Sequence, residues 1–341
     1  MRKLLLAGLT LTAAVARAQT PPSITMADMP AAGDSLRLSR AAAVLPASAP
    51  ALTLNGANKT WNYAGLVATS QRVERYGTVA SAATGLQLLT FGLPFGANRA
   101  NLASPRDLGV AGGVLPVSDP AEFFLSSSAD FRSVGFGVTV NGLALPITYL
   151  SQARQDVVYH LPQAYGNAAD GSNSFFEVAV PGTGALSRRR QRTNLPDAWG
   201  TLTTPFGTFQ TLRVVTTIID RDSVVFGALS LPATTLPTQR EYKWLAKGVH
   251  VPILTITTTE VAGAQQVTAV EYRDSFRRFV VPLAGRDAAT EAVLSAAPNP
   301  SAVGTDLRLT VPAGSGPLTV AATDVVGRQV FSRRFSSGTG A

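Results

Sequence analysis

The carboxylates are the side chains of this sequence best suited to chemistry. Asp220 and Asp222 lie two residues apart, so on an extended strand both would face one side. Secreted glycosidases work with such carboxylate pairs, as acid and base or as acid and nucleophile. Five further candidates are scattered, and spacing alone brings no two of them together: Glu122, Glu177, Glu241, Glu260 and Glu271. A glycan-acting hydrolase is one hypothesis, and a plain hairpin turn is the other interpretation of the Asp pair.

Other catalytic chemistries lack the residues they need. The chain has no cysteine, which excludes thiolate catalysis, disulfides and cysteine-ligated zinc. Only His160 and His250 offer imidazole bases, and each is followed two residues later by proline in an apolar run. Neither G-x-S-x-G nor H-E-x-x-H occurs. Residues 167–173 offer oxygen atoms but depart from the EF-hand pattern. We therefore predict no cofactor, no metal site and no assignable catalytic residue.

Three tryptophans could contact a ligand. Trp61, Trp199 and Trp244 are each able to stack on a sugar ring or to fill a core. Trp199 lies between Asp197 and Gly200 near a strand start and is the best candidate. Trp199 and Trp244 are our candidate ligand contacts, with core packing as the alternative.

A cluster of arginines is a second candidate contact. Arg188, Arg189, Arg190 and Arg192 lie within five residues of one another. An exposed loop of this charge would attract anionic surface polysaccharide or lipopolysaccharide. A solvated loop without a partner is the alternative.

The charge of the remaining chain is nearly balanced. The formal charge of +8 falls to +5 when Arg2, Lys3 and Arg17 are removed with the leader described below. Most of this remaining positive charge comes from the arginine cluster. No basic stripe interleaved with aromatic side chains is present, so we predict no nucleic-acid partner.

The N-terminus predicts export. Arg2 and Lys3 precede an apolar run over residues 4–15, which is too short to span a bilayer as a helix. Ala16 and Ala18 form an A-x-A cleavage site, so the mature chain is expected to begin at Gln19. We predict a signal peptide over residues 1–18, read by the Sec machinery and signal peptidase. No other stretch is apolar enough for a transmembrane helix, so none is expected in the mature form.

The body, residues 19–285, is predicted to be all-β. Gly and Pro number 30 and 22, which favours many strands joined by tight turns. Residues 134–140 alternate strictly, and Asn141-Gly142 is a preferred hairpin turn, with Pro146 placing the returning strand at an edge.

Another long strand is expected over residues 206–219. Leu212, Val214 and Ile218 would face inward, and Arg213 and Thr217 outward. A turn is expected at residues 220–223. The predicted architecture is a β-sandwich of one or two subdomains.

The end of the chain differs from the body. Residues 286–296 form a polar, alanine-rich linker. Pro298, Asn299 and Pro300 then open a unit over residues 297–341 with alternating strands. Asp324 and Gly327 occupy the preferred ends of a type I turn, and Arg328 follows.

Together these tail residues resemble the C-terminal sorting domain of the type IX secretion system of Bacteroidetes. The resemblance implies a small Ig-like β-sandwich, incomplete here because the family pattern continues for two or three more strands. It also implies passage through the type IX outer-membrane machinery, removal of the tail by its sortase-like protease, and release or attachment to anionic surface lipopolysaccharide.

The body has a weaker resemblance. Residues 23–34, 55–61 and 199–208 are similar to stretches of uncharacterised secreted proteins with the same tail. That resemblance implies no activity. Our hypothesis from the sequence is a secreted or cell-surface, non-enzymatic β-sandwich protein, with a glycan-acting hydrolase or a carbohydrate-binding module as alternatives.

Overall fold

The structure, a computed structural model, describes residues 20–106, 117–180, 184–226 and 229–278 of the first unit. In the second unit it describes 295–297, 304, 306, 308–310, 318–324 and 328–335. The chain divides into two compact units, Met1–Phe279 and Val280–Ala341. The predicted leader, with Ala16, Ala18 and Gln19, lies outside the described residues.

The described part of the first unit consists mainly of strands. In chain order the strands and α-helices are β1 Ser35–Ala41, β2 Gly56–Asn62, β3 Ala68–Arg75, α1 Val79–Ala82, α2 Gly85–Phe91, β4 Leu102–Pro105, β5 Val117–Ser126, β6 Asp130–Val140, β7 Leu143–Thr148, β8 Asp156–His160, β9 Asp170–Val180, β10 Gly184–Thr204, β11 Gly207–Phe226, β12 Leu229–Thr235, β13 Gln239–Leu245, β14 Leu254–Val261 and β15 Ala264–Arg273. Two 3-10 turns, Met26–Asp28 and Gln152–Arg154, complete this list.

Ten of the described strands form one large sheet. Its order is β2-β10-β11-β13-β14-β15-β1-β3, with β9 also paired to β10 and β12 to β11. Only β2 and β10 run parallel; the other pairs are antiparallel. The long hairpin β10–β11 dominates the sheet, and its second strand is rich in the β-branched residues that suit a pleated surface.

Five other strands form a smaller sheet in the order β4-β5-β6-β7, with β8 paired to the first part of β6. One face of this sheet packs on the large sheet. There Phe124 and Phe131 join Trp199, Leu212 and Val214 in one buried cluster. The helices α1 and α2 cover its other face, in a cluster that contains Phe91 and Phe123.

A second hydrophobic cluster is buried on the other face of the large sheet. Trp61 on β2 lies edge-on to Trp244 on β13, with ring centroids 5.8 Å apart. The two strands are separated by β10 and β11 in the sheet, so the sheet curves to bring them together. Leu254 and Ile256 complete this cluster.

The predicted fold class is confirmed: the protein is all-β with a sandwich-like arrangement of sheets. The predicted hairpin is present as β6 and β7, with Asn141 and Gly142 both at positive φ. Pro146 lies on β7, at the edge of the smaller sheet. Leu212, Val214 and Ile218 are buried as predicted.

Two local predictions were wrong. The expected turn at residues 220–223 is strand, because β11 continues to Phe226 and Asp220 and Asp222 pair with residues of β10. Arg213 does face away from Leu212, but that face is not solvent. Its guanidinium is buried, donates hydrogen bonds to Asp197 at 2.8 and 2.6 Å, and packs among Trp61, Tyr242 and Trp244.

The second unit contains four described strands: β16 Ser295–Ala297, β17 Arg308–Thr310, β18 Leu318–Thr323 and β19 Gln329–Phe335. They pair as β16–β17 and β18–β19, both antiparallel. Ser295 and Ala296, placed in the linker by the sequence, belong to β16. All residues of β19 are exposed.

The described helices are short. The longest, α2, has 7 residues, and none in the described part of the chain has the length and apolar character needed to cross a bilayer.

Candidate functional site

A cavity of about 290 Å³ lies between the two sheets of the first unit. The large sheet contributes residues of β10 and β13, and the smaller sheet contributes residues of β5, β6 and β8. Its charged lining residues are Asp28, Arg106, Glu122, Asp156, Arg190, Arg192, Glu241 and Lys243, with His250 at one side. We call this space the charged cavity.

One wall of the charged cavity is built by alternation along β10. Arg188, Arg190 and Arg192 are two residues apart, so they share one face of the strand. The paired strand β11 places Asp222 opposite Arg188 and Asp220 opposite Arg190.

Each of these arginines forms a two-pronged ion pair. Arg188 donates to Asp222 at 2.9 and 2.7 Å, and Arg190 donates to Asp220 at 2.8 and 2.7 Å. Arg192 donates to Asp156 of β8 at 2.9 and 2.8 Å. These three pairs form an arginine ladder that ends in the charged cavity and ties β8 to β10.

Asp156 is held ionised by this ladder. Burial raises the pKa of its carboxyl, but the charge of Arg192, the hydrogen bonds from Arg192 and the charge of Arg190 outweigh burial and lower the pKa to about 2. Ser172 also donates to Asp156 at 3.1 Å. The carboxylate is therefore a fixed negative charge at ordinary pH.

A second ion pair lies on β13, with a buried lysine and a partly buried glutamate. Lys243 donates to Glu241 at 3.0 Å, and its ammonium stands 4.9 Å from the ring centre of Tyr159. Burial raises the pKa of Glu241, but the charges of Lys243 and Arg192 outweigh it, and the pKa is lowered. Burial lowers the pKa of Lys243, but Tyr159 and Glu241 outweigh burial, and the pKa is raised. Lys243 and Glu241 therefore both stay charged.

Arg106 supplies a third charged element. It donates to Glu122 on β5 at 2.7 Å and to Glu74 on β3 at 2.7 Å. This guanidinium therefore bridges the two sheets. Burial raises the pKa of Glu74, but the charges of Arg106 and Arg72 outweigh it and the pKa is lowered.

At the rim of the charged cavity, two residues near the start of the described chain contact the segment that contains Gly248 and His250. Asp28 accepts a hydrogen bond from the Gly248 amide at 2.8 Å, and Asp34 contacts His250 Nδ1 at 2.7 Å. His250 has a positive φ of 69°, a left-handed conformation that a non-glycine residue adopts only when its surroundings hold it there.

The sequence-predicted arginine cluster is a strand rather than a loop. Its two strand faces differ: Arg188, Arg190 and Arg192 are paired with carboxylates, whereas Arg189 points away, is exposed and lies over the Phe175 ring. The prediction of an exposed loop at residues 188–192 was wrong because these residues lie within β10, one strand of a long hairpin.

The three tryptophans are core residues. Trp61 and Trp244 have no accessible surface, and Trp199 keeps 7%. Neither Trp199 nor Trp244 exposes its ring for sugar stacking, because each ring packs inside a hydrophobic cluster.

The scattered carboxylates divide into three groups. Glu122 and Glu241 both line the charged cavity. Glu177 and Glu260 are exposed, and Glu271 pairs with Arg72 at 2.7 Å. His160 lies at the end of β8 and His250 at the cavity rim, so the two histidines belong to different local environments.

Sequence reasoning missed Asp156, Lys243, Tyr159 and Arg106 as members of a site. Asp156 and Tyr159 lie on β8, Lys243 lies on β13 and Arg106 follows β4, so sheet packing brings the three segments together. One signal was present: the spacing of Arg188 and Arg190 mirrors that of Asp222 and Asp220 about the turn at residues 205–206.

Of the sorting-tail residues, Asp324 and Arg328 are described, and Pro298, Asn299, Pro300 and Gly327 lie outside the described residues. Asp324 accepts hydrogen bonds from the amide and the Nε of Arg328 at 2.9 and 3.1 Å. They lie at the turn between β18 and β19. Among the described residues, no group of three or more acidic or histidine side chains is arranged to bind a metal.

Comparison with known proteins gives no relative: no family model, no curated protein and no solved structure matches the chain.

Proposed function

We propose that this chain is an exported, non-enzymatic binding protein whose ligand occupies the charged cavity. The observation that carries the proposal is the cavity itself. It lies between two sheets and is lined by eight charged side chains, seven of which form ion pairs. Small molecules usually bind in concave spaces of this kind, where a few polar groups are held in defined positions.

The protonation states favour binding over hydrolysis. Glycoside hydrolysis needs one carboxyl group protonated at working pH so that it can act as general acid. Asp156 and Glu241 have lowered pKa values and cationic partners, so neither fills that role. Asp156, Glu241 and their cationic partners instead present fixed charges and hydrogen-bonding groups.

The hydrolase alternative makes a different prediction. Glu122 and Glu241 both line the cavity, so a hydrolase would use this pair. We expect the purified protein to release no reducing ends from soluble polysaccharides. Release that disappears in both the Glu122→Gln and Glu241→Gln variants, but not in the exposed-site control Glu177→Gln, would contradict the non-enzymatic proposal.

The export part of the proposal rests on the leader and the tail residues. In support of the tail, Asp324 and Arg328 are hydrogen-bonded to each other where β18 leads to β19. The proposed partners are the Sec machinery and signal peptidase, then the type IX machinery and its sortase-like protease. The proposed location is the cell surface or the medium.

Cell fractionation with N-terminal sequencing tests this route. We expect the exported protein to begin at Gln19 and to lack the tail. Recovery of the chain beginning at Met1 from the periplasmic or external fraction would contradict it. Contact with anionic surface polysaccharide would depend on Arg189, the exposed member of the arginine cluster.

A further inference from the structure

We propose that the ligand of the charged cavity is a neutral, polyhydroxylated molecule about the size of one sugar ring. This inference rests on the binding function proposed above and adds the chemical class of the ligand. It follows from the size of the cavity, from the hydrogen-bonding groups that the protein leaves unused, and from the balance of charge on the walls.

The size limits the ligand. At about 290 Å³ the cavity lies at the lower end of small-molecule sites, which span roughly 300–1,000 Å³. A single six-membered ring with its hydroxyl groups fits this space, whereas an oligosaccharide would have to leave most of its rings outside.

Several donors on the walls have no partner in the described part of the protein. Lys243 uses one of its three N–H donors, on Glu241. Arg192 uses Nε and Nη2 on Asp156, and Arg106 uses Nε and Nη1, which leaves one terminal nitrogen of each guanidinium unpaired. Tyr159 has no hydrogen bond from its hydroxyl to any described residue, although it lines the cavity.

Acceptors are also left over. Glu241 and Glu122 each accept through Oε2 from a neighbouring cation, and the Oε1 atom of each has no partner among the described residues. The lining residues therefore keep both unused donors and unused acceptors. A hydroxyl group can satisfy both kinds, because it donates one hydrogen bond and accepts others.

The charges of the lining residues cancel. Four cations, Arg106, Arg190, Arg192 and Lys243, face four carboxylates, Asp28, Glu122, Asp156 and Glu241. A ligand with net charge would enter a space that has no surplus counter-charge, at a cost in desolvation.

A zwitterion is disfavoured for a related reason. It needs separate regions of positive and negative charge, but here the cations lie against carboxylates. Lys243 is 3.0 Å from Glu241 and Arg192 is 2.8 Å from Asp156. No part of the wall formed by these pairs has a single sign.

Apolar side chains on the cavity walls also suit a sugar-sized ring. Phe124, Phe131, Val158, Leu245 and Val251 lie among the charged groups. Sugar and cyclitol rings expose C–H groups between their hydroxyls, and these side chains would cover such groups.

Calorimetric titration of the full chain tests the inference. The probes are D-glucose, D-galactose, D-mannose and myo-inositol as neutral ring polyols, and L-alanine, D-glucuronate and inorganic phosphate as charged comparators. We expect saturable binding of at least one neutral polyol. We expect the Tyr159→Phe variant to weaken it about tenfold, which corresponds to the loss of one hydrogen bond.

The Tyr159→Phe variant is chosen because it should fold like the parent. Tyr159→Phe removes only a hydroxyl that bonds to no described residue, so its thermal midpoint should equal that of the parent. Tyr165→Phe, on a tyrosine that does not line the cavity, is the matched control and should leave the dissociation constant unchanged. A second variant, Lys243→Met, keeps the apolar stem and should also weaken binding.

The outcomes separate the two proposals. Binding of a charged comparator but of no neutral polyol, weakened by Tyr159→Phe, would overturn the ligand class and keep the binding function. Neutral-polyol binding that is equal in the parent, Tyr159→Phe and Lys243→Met would overturn the site. If nothing in the panel binds, the ligand class is wrong, and the reducing-end and export experiments still decide the proposed function.

Discussion

At the scale of single residues, burial decides the role of the tryptophans. Trp199 lies in the cluster between the two sheets with Leu212 and Val214. We expect Trp199→Ala to lower the free energy of unfolding by about 3–5 kcal/mol, because it removes a large buried ring and leaves a cavity. Chemical denaturation measures this. Phe95→Ala, at a side chain 99% exposed, should change stability by less than about 0.5 kcal/mol. An effect of Trp199→Ala as small as that control would contradict the core assignment.

Asp156 makes stability depend on pH. Its pKa is about 2 in the folded protein against an ordinary value of 3.8, so folding favours the ionised form. The resulting stabilisation is complete above about pH 4 and is lost as the pH falls toward 2. Its size is about 2 kcal/mol.

Denaturation curves from pH 7 to pH 2 measure this contribution. The Asp156→Asn variant should lose stability less steeply with acid than the parent. The control Asp119→Asn changes an exposed carboxylate and should follow the parent. Equal acid dependence in Asp156→Asn and the parent would show that the Arg192 pair does not stabilise the fold.

Residue chemistry alone predicted little of the site. Glu122 and Glu241 could be named as candidates from the sequence, and both line the cavity, but nothing in their spacing joins them. Asp156 and Lys243 lie on strands that meet only through the packing of two sheets. The partner of Asp156 is distant in sequence, because Arg192 lies 36 residues away, whereas Lys243 pairs with Glu241 on its own strand.

At the scale of elements, the β10–β11 hairpin organises the site. Its cross-strand register sets Arg190 against Asp220, with both side chains largely buried. A buried, two-pronged pair should couple more strongly than an exposed one, because water screens it less. We expect a double-mutant cycle with Arg190→Met and Asp220→Asn to give a coupling energy of about 1–3 kcal/mol.

The exposed pair Arg40 and Glu271 provides the control for this cycle. Arg40 keeps 64% of its side-chain surface and the two charges are 3.4 Å apart. A cycle with Arg40→Met and Glu271→Gln should give less than about 1 kcal/mol. Similar coupling energies in the two cycles would contradict a special role for the arginine ladder.

The hairpin with a strong turn signal, β6–β7, was predictable from the sequence. For the long β10–β11 hairpin, only the first part of β11 was predicted. Asn141-Gly142 fixes its hairpin because few other residues adopt positive φ at both positions. In β11 the polar run after Ile219 suggested a turn. The strand continues there because the carboxylates of that run are matched by arginines on β10, a partnership that no local pattern reveals.

At the scale of the whole molecule, composition was enough for the fold class. Many glycines and prolines, alternating runs and short helical segments indicated an all-β protein, and the structure has that class. The charged cavity was not predictable, because it depends on how far apart two sheets stand. The residues packed between the sheets include Phe124 and Phe131 from one sheet and Trp199 and Leu212 from the other, and these two pairs lie far apart in the chain.

The second unit should be far less stable than the first. Its described strands form two-stranded pairs, and every residue of β19 is exposed, including Val330, Phe331 and Phe335. A two-stranded hairpin without a buried face is marginal in water. We therefore expect the amides of β18 and β19 to exchange with solvent deuterium much faster than those of β11 near Leu212. Native-state hydrogen exchange at neutral pH measures both in one experiment. Protection of β18–β19 equal to that of β11 would mean that this tail folds into a complete, stable unit.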